Sequence, residues 1–216
     1  MVVIKKLNKN VIILSVLLLL FIFFSIKSYA DSVISDLSSN ILRFHVIANS
    51  DSEDDQKLKY QVRDSLINYM NSINSNSNSK DNTILTVQEH IDDFKNIAQQ
   101  IVKDSGFNYC VDVELGNCFF PTKKYGDVSF PVGYYDALRV KIGNCEGRNW
   151  WCVMFPPLCF IDSNSASISE DSKLLLENSL SNEDYELICK SNEQSEIKFK
   201  IVEAFNNFAS KFCNNY

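Results

Sequence analysis

The sequence has little of what most enzymes need for catalysis. It contains only two histidines, His45 and His90, and its seven cysteines form no Cys-x-x-Cys pair. The nucleophile-elbow, phosphate-loop, dinucleotide-binding and zinc-protease motifs are all absent. A zinc site needs closely spaced ligands, which these residues do not provide. We therefore expect neither a metal site nor a cofactor.

Acidic residues are missing from the start of the chain, where the first is Asp31. Three early lysines precede the almost wholly apolar stretch from Val11 to Phe24, and the small residues Ser28 and Ala30 follow. This is the plan of a secretory signal with cleavage after Ala30. The alternative is an uncleaved membrane anchor, because the 17 residues from Asn10 to Ile26 nearly suffice to span a bilayer. Both interpretations place the rest of the chain outside the cytoplasm.

The remaining part, residues 31–216, is acidic and large enough for one domain. The whole chain carries a net charge of −6 from 21 basic and 27 acidic residues. Without the four lysines of residues 1–30, 17 basic residues face 27 acidic ones, a net charge of −10. No segment interleaves basic with aromatic residues, so we expect neither nucleic acid nor an anionic membrane surface as a partner.

Hydrophobic periodicity predicts a strand followed by helices in the first half of this domain. Residues 41–48 alternate as a strand, with His45 and Arg43 on one face. Ser52 resembles the start of a capping box for an amphipathic helix at 53–71. A polar loop rich in Asn and Ser is expected at about 71–82. A second capping box, Thr86 to Glu89, opens a predicted helix at 86–104, with Gly106 after its end.

The second half switches to a period of two and then returns to helices. Glycines separate the predicted strands, which we expect to form a meander; they lie at 107–115, 117–120, 127–130, 134–142 and 148–155. The last strand has no alternation, which is typical of burial on both faces, and Pro156-Pro157 ends it. Helices are predicted at 171–178, 183–190 and 195–213. The fold class is therefore α+β: a single domain with a mostly antiparallel sheet, one face of which is covered by helices.

The strongest catalytic hypothesis is a thiol nucleophile. Cys152 or Cys159 would attack and His45 would act as the base, as in a secreted thiol hydrolase. Against this, Cys152 lies in an apolar run, where burial raises the pKa of a thiol. A disulfide between Cys152 and Cys159 is one of the pairings that the seven cysteines leave open. We expect the protein not to be an enzyme.

Several long strings resemble the family of stage II sporulation protein R. They lie between about residues 41 and 161 and comprise Arg43–Ser52, Gln56–Leu58, Val62–Asp64, Glu114–Asn117, Phe120–Lys123, Tyr125–Asp127, Gly133–Val140 and Asn149–Phe160. The resemblance implies a signalling protein that is secreted into the space between the forespore and mother-cell membranes. There it would activate a membrane-embedded aspartic protease, which removes the pro-sequence from the sigma-E precursor.

A ligand of this kind needs a defined patch that recognises its partner. Trp and Tyr are favoured where interfaces are strongest, which draws attention to the aromatic and proline-rich segment around residues 150–160. We expect the patch to combine the strand-to-helix corner with this segment, and its predicted partner-binding residues are His45, Asn49, Asp51, Trp150, Trp151, Pro156 and Pro157.

Overall fold

The computed structural model describes residues 9–73, 78–159, 168, 170–189, 193–194 and 197–204. The main helices are α1 (Lys9–Asn40), α2 (Glu53–Ile73), α3 (Lys80–Glu89), α4 (Ile91–Asp104), α5 (Glu170–Ser179) and α6 (Asn182–Cys189). The strands are β1 (Leu42–Ile47), β2 (Val111–Phe120), β3 (Lys123–Tyr125), β4 (Val128–Phe130), β5 (Gly133–Ile142) and β6 (Asn149–Phe155). Residues 197–204 are also helical, and the rest of the predicted helix 195–213 lies outside the described residues.

The leading helix α1 joins the apolar segment to the folded body without a break. Its first part is long and apolar enough to cross a membrane by length and composition, which is compatible with a signal or an anchor. The helix continues past Ala30, and its last turns bury Ala30, Val33 and Leu37 against the sheet. Residues on both sides of the predicted cleavage position are therefore part of one helix, and the turns after it belong to the core of the body.

The main sheet has the strand order β2-β5-β1-β6. β1 runs parallel to β5 and antiparallel to β6, while β2 and β5 are antiparallel. The α+β class with a mostly antiparallel sheet is thus confirmed. The predicted meander is wrong, because β1 from the start of the chain lies between β5 and β6. Five of its six residues are buried, as expected for a central strand with cover on both faces.

Helices cover both faces of this sheet, so the prediction of one covered face is wrong. One core packs α2, α3 and α4 against alternate strand residues such as Phe44 and Val140. The other core lies between the opposite face and the end of α1, the β3–β4 ribbon, α5 and α6. The second face needs cover because it also carries large side chains such as Phe120 and Tyr135, which are fully buried.

Capping explains where most of the early helices begin and end. The Ser52 hydroxyl accepts the backbone N–H of Asp55 at 3.2 Å, which confirms Ser52 as the N-cap of α2. After α4, Gly106 has φ +83°, and the backbone N–H groups of Gly106 and Phe107 donate to Lys103 and Val102. This is a Schellman motif, and it confirms Gly106 as the residue after the helix.

The predicted helix 86–104 is instead two helices, α3 and α4, which meet at His90. Ser79 caps α3 by accepting the N–H of Asn82. The Thr86 hydroxyl donates to the Asn82 carbonyl one turn back, so the second capping box is wrong. Since α2 extends to Ile73 and α3 begins at Lys80, the predicted polar loop at 71–82 is also too long.

Among the strands, the two predicted at 107–115 and 117–120 are one strand, β2, that passes through Gly116. The short strand β3 pairs with β4 in a separate ribbon and was not predicted. In β6, residues 152–155 are buried on both faces, as predicted, and the strand ends immediately before Pro156.

Candidate functional site

A network of hydrogen bonds fixes the corner between β1 and α2. The Asp55 carboxylate accepts from the Asn49 amide at 2.9 Å and from the Ser50 hydroxyl at 2.5 Å. Burial acts to raise the pKa of Asp55, but hydrogen bonds from Ser50, Asn49 and Tyr109 outweigh it and lower the pKa. The carboxylate therefore stays ionised and holds the corner in one geometry.

The same corner holds the turn between β5 and β6. The Asn49 side-chain oxygen accepts the backbone N–H of Asn144 at 2.9 Å, and the Asp51 carboxylate accepts that of Arg148 at 2.7 Å. Gly147 passes so close to Ser50 that an added Cβ would overlap the Ser50 carbonyl. Asn49 and Asp51 thus have structural roles, and their proposed role in partner binding stays a prediction.

His45 lies beneath the surface, with only 5% of the residue exposed. Its ring stacks on the Trp151 indole with 3.7 Å between centroids, and Nε2 lies 3.0 Å from the Asn149 side-chain oxygen. Burial lowers the pKa of His45 to about 4, against the effect of the Asn149 hydrogen bond. The imidazole is therefore neutral near pH 7, and the proposed role of His45 in partner binding stays a prediction.

His45 and Cys152 do not form a nucleophile and base pair. In the β1–β6 register His45 lies opposite Trp151, whereas Cys152 lies opposite Phe44. Cys152 and Phe44 belong to the core with α2, so the thiol and the imidazole project from opposite faces of the sheet. Cys152 is also bonded to Cys159 in a disulfide. The hypothesis of a Cys152 nucleophile with His45 as base is thus wrong on geometry.

Arg43 lies under the same part of the sheet and is fully buried. Its guanidinium stands 4.5–5.6 Å from the centroids of four aromatic rings, those of Phe120, Tyr125, Phe130 and Tyr135. It donates to the Tyr125 hydroxyl at 3.1 Å, which in turn donates to the Trp151 carbonyl at 3.0 Å. A continuous chain of contacts therefore links the buried cation to the edge of β6.

Next to Tyr125 and Trp151 lies a cleft of about 920 Å³, which runs along the edge strand β6. Helix α2 forms one wall and strand β3 the other, and the start of β6 lies between them. We call it the β6 cleft; its lining includes Lys59, Tyr60, Arg63, Asp64, Lys123, Lys124, Tyr125, Arg148, Asn149, Trp150, Trp151 and Leu158.

One cation of this cleft lies against two aromatic rings. The Arg63 guanidinium lies 4.2 Å from the Trp150 ring centroid and 4.7 Å from that of Tyr60. The Tyr60 ring meets Trp150 edge-on at 5.6 Å. No single segment interleaves basic with aromatic residues, but three separate segments bring both kinds of residue into the cleft.

Lys59 is the most deeply placed cation of the cleft, and only 1% of it is exposed. Its ammonium donates to the Gln56 side chain at 2.6 Å and to the Arg148 carbonyl at 3.0 Å. Burial lowers the pKa of Lys59, and the nearby positive charges of Arg148 and Arg63 lower it further. The cleft therefore has a local positive field, although residues 31–216 are acidic as a whole.

The structure brings together only some of the predicted partner-binding residues. Trp150 and Trp151 line the cleft, and Asp51 reaches its rim, where its carboxylate lies 3.4 Å from Arg148 Nε. Pro156 is buried and Pro157 is exposed beyond the far end of β6, next to a smaller cavity of about 320 Å³. Sequence reasoning missed Lys59, Arg63, Lys123 and Lys124. The pair Lys59 and Arg63, four residues apart on α2 beside Tyr60, was a usable signal.

The fold and cleft together define an α+β domain that continues directly from an apolar helix and presents a recessed basic and aromatic surface. The family model of stage II sporulation protein R matches residues 38–165, and the chain belongs to this family. Stage II sporulation protein R of Bacillus subtilis (strain 168) is 36% identical over 130 residues. That alignment covers 60% of this chain and 58% of the relative. No solved structure matches.

Proposed function

We propose that this chain is an exported sporulation signal that activates a membrane-embedded aspartic protease to process the sigma-E precursor. The family match over residues 38–165 carries the proposal. We further propose that it acts in the space between the forespore and mother-cell membranes. The apolar first part of α1 supports export, whether that segment is cleaved after Ala30 or kept as an anchor. The disulfide between Cys152 and Cys159 fits an oxidising location outside the cytoplasm.

Activation in this proposal is a binding effect. A ligand shifts a protease towards its active state only by binding that state more tightly than the inactive one. Such a ligand needs a well-defined surface, and the hydrogen-bonded corner at Asn49 and Asp51 provides a rigid frame for one. Trp150 and Trp151 supply aromatic area inside the cleft, which favours recognition. The buried His45 supports Trp151 from below in this arrangement.

The rival function, a secreted thiol hydrolase, finds no support at its predicted residues. It required the Cys152 or Cys159 thiol and the His45 imidazole to meet. The two cysteines are instead joined in a disulfide, and His45 lies on the opposite face of the sheet from Cys152.

The test is co-expression in a bacterium that does not form spores. This chain, the membrane protease and the sigma-E precursor of the same genome are produced together, and precursor cleavage is followed by immunoblot. Cleavage should require this chain, and it should fail when residues 1–30 are deleted so that the body stays in the cytoplasm. Cleavage without this chain, or equal cleavage with the cytoplasmic form, would contradict the proposal.

A further inference from the structure

The β6 cleft has a surplus of positive charge. Its lining includes five cationic side chains, those of Lys59, Arg63, Lys123, Lys124 and Arg148, and one carboxylate, that of Asp64. Arg63 pairs with Asp64 and Arg148 with Asp51. Lys59, Lys123 and Lys124 have no carboxylate partner within the part of the chain that the structure describes. A negatively charged ligand can therefore contact Lys123 and Lys124 without displacing a carboxylate among the described residues, and the buried charge of Lys59 adds to the positive field.

The cleft also contains a strand edge that is only partly hydrogen-bonded within the described residues. β6 is the last strand of the sheet and pairs only with β1 among the described strands. Away from β1, the Val153 carbonyl accepts the Leu158 N–H and the Trp151 carbonyl accepts the Tyr125 hydroxyl. Every second residue of a strand directs its backbone N–H and C=O to the same side. Those of Asn149 therefore point to the same outer side as those of Trp151 and Val153. Such an edge can hydrogen-bond an extended peptide backbone.

The wall next to that edge is aromatic and includes a hydrogen-bond donor, the Trp150 indole N–H. The Trp150 indole N–H is buried and has no acceptor among the described residues. The ring lies against the Arg63 guanidinium and is perpendicular to the Tyr60 ring, so it is a fixed surface against which a side chain can pack.

The shape and charge of the whole body decide between classes of acidic ligand. The cleft is concave, so a flat bilayer surface does not reach its deep cation, Lys59. The net charge of −10 outside residues 1–30 repels extended polyanions such as a membrane or nucleic acid. A short acidic peptide meets the local positive field and the strand edge together.

We propose that the β6 cleft binds an extended, acidic peptide segment exposed on the extracytoplasmic side of the membrane partner. This inference rests on the proposed function for the identity of the partner. The peptide backbone lies along the Asn149–Trp151 edge of β6, and its carboxylates meet Lys123, Lys124 and Arg63. Trp150 packs against an apolar side chain of the segment.

The binding experiment uses the full chain in phosphatidylcholine nanodiscs. The probe is a fluorescein-labelled decapeptide in which Glu and Asp alternate with Ala, and its control carries Gln and Asn at the same positions. Fluorescence anisotropy should show saturable binding of the acidic peptide alone, which weakens as salt rises. The double variant Lys123→Glu/Lys124→Glu should bind about tenfold more weakly or worse, because two attractive charges become repulsive.

The matched control is Lys95→Glu/Lys103→Glu, which makes the same charge change on exposed positions of α4. It should bind as the unaltered chain does. If the double cleft variant fails to fold by circular dichroism, the single Lys124→Glu change at an exposed position takes its place. Equal binding of acidic and amide peptides, or equal loss in both double variants, would overturn the proposal.

Competitors separate the classes of ligand, and cleavage of the sigma-E precursor separates the two proposals. In one outcome the acidic peptide fails to bind, while phosphatidylglycerol vesicles or a single-stranded oligonucleotide bind through Lys123 and Lys124. That result would overturn the proposal of a peptide ligand. Peptide binding without any activation of cleavage would reject the proposed function and leave the cleft assignment standing. Normal cleavage by the variant that has lost peptide binding would reject the cleft as the partner surface and leave the function standing.

Discussion

The His45 imidazole and the Trp151 indole stack with 3.7 Å between their centroids and an interplanar angle of 15°. This pair places a residue of the kind that serves as a catalytic base beneath Trp151, which lines the β6 cleft. The ring is held by stacking and by Asn149, and burial keeps it uncharged. His45 therefore acts on the cleft through Trp151, as a positioning residue.

The low pKa of His45 makes the folded state sensitive to mild acid. The pKa is 6.5 for the free side chain and about 4 in the folded protein. Between these values the unfolded chain takes up a proton that the folded chain does not. The free energy of unfolding should therefore fall as the pH drops from 6.5 to 4, by up to about 3 kcal/mol. Urea unfolding across this range measures it, and His45→Gln should show a flatter slope. Parallel slopes for both proteins would show that His45 is not responsible.

The close approach of Gly147 to the corner predicts a large difference between two glycine substitutions. Gly147→Ala forces the Ser50 backbone or the β5–β6 turn to move, since the new Cβ would overlap the Ser50 carbonyl. We expect a loss of about 1–3 kcal/mol in the free energy of unfolding. Gly116→Ala is the matched control, because an added Cβ there meets nothing within 4 Å. Similar stabilities of the two variants would refute this account of the corner.

The end of α1 should stabilise the body even though the start of α1 is an apolar segment compatible with a signal or an anchor. Leu37 is fully buried in the second core, whereas Leu19 is exposed. Leu37→Ala should lower the melting temperature and cost about 2–4 kcal/mol. Leu19→Ala should leave the melting temperature of the body unchanged. If Leu37→Ala is also silent, residues 31–40 do not belong to the core.

The disulfide provides a test that separates signalling from thiol chemistry. Peptide mapping of the protein without reductant should recover Cys152 joined to Cys159. Replacing both cysteines by alanine should cost about 2 kcal/mol of stability, because the closed loop is short. At a temperature where the variant is folded, it should still activate precursor cleavage. Complete loss of activation by the folded variant would favour a chemical role for one of these thiols.

Much of the fold follows from periodicity and capping, and the exceptions have local causes. Alternation located β1 and β2, and the spacing of glycines located β5 and β6. Neither signal carries information about which strand lies beside which, so the insertion of β1 between β5 and β6 was missed. The apolar stripe from Val87 to Val102 continues across His90, which hid the break between α3 and α4.

The cleft was harder to predict than the fold. Its lining comes from three distant segments, which the packing of α2 and β3 beside β6 brings together. These segments supply Lys59 and Arg63, Lys123 and Lys124, and Trp150 and Trp151. The burial of His45 was hard to predict, because a polar residue on an alternating strand ordinarily marks a solvated face. That face is instead covered by the rings of Phe120 and Trp151.

Activation of the protease in a purified system tests the central claim most directly. The protease and the sigma-E precursor are reconstituted in vesicles, and this chain is added in nanodiscs to the extracytoplasmic side. The rate of precursor cleavage should rise with the concentration of this chain and reach a plateau. The Lys123→Glu/Lys124→Glu variant should need a higher concentration for the same rate, whereas Lys95→Glu/Lys103→Glu should not. A cleavage rate that stays the same at every concentration of the folded, unaltered chain would contradict the account.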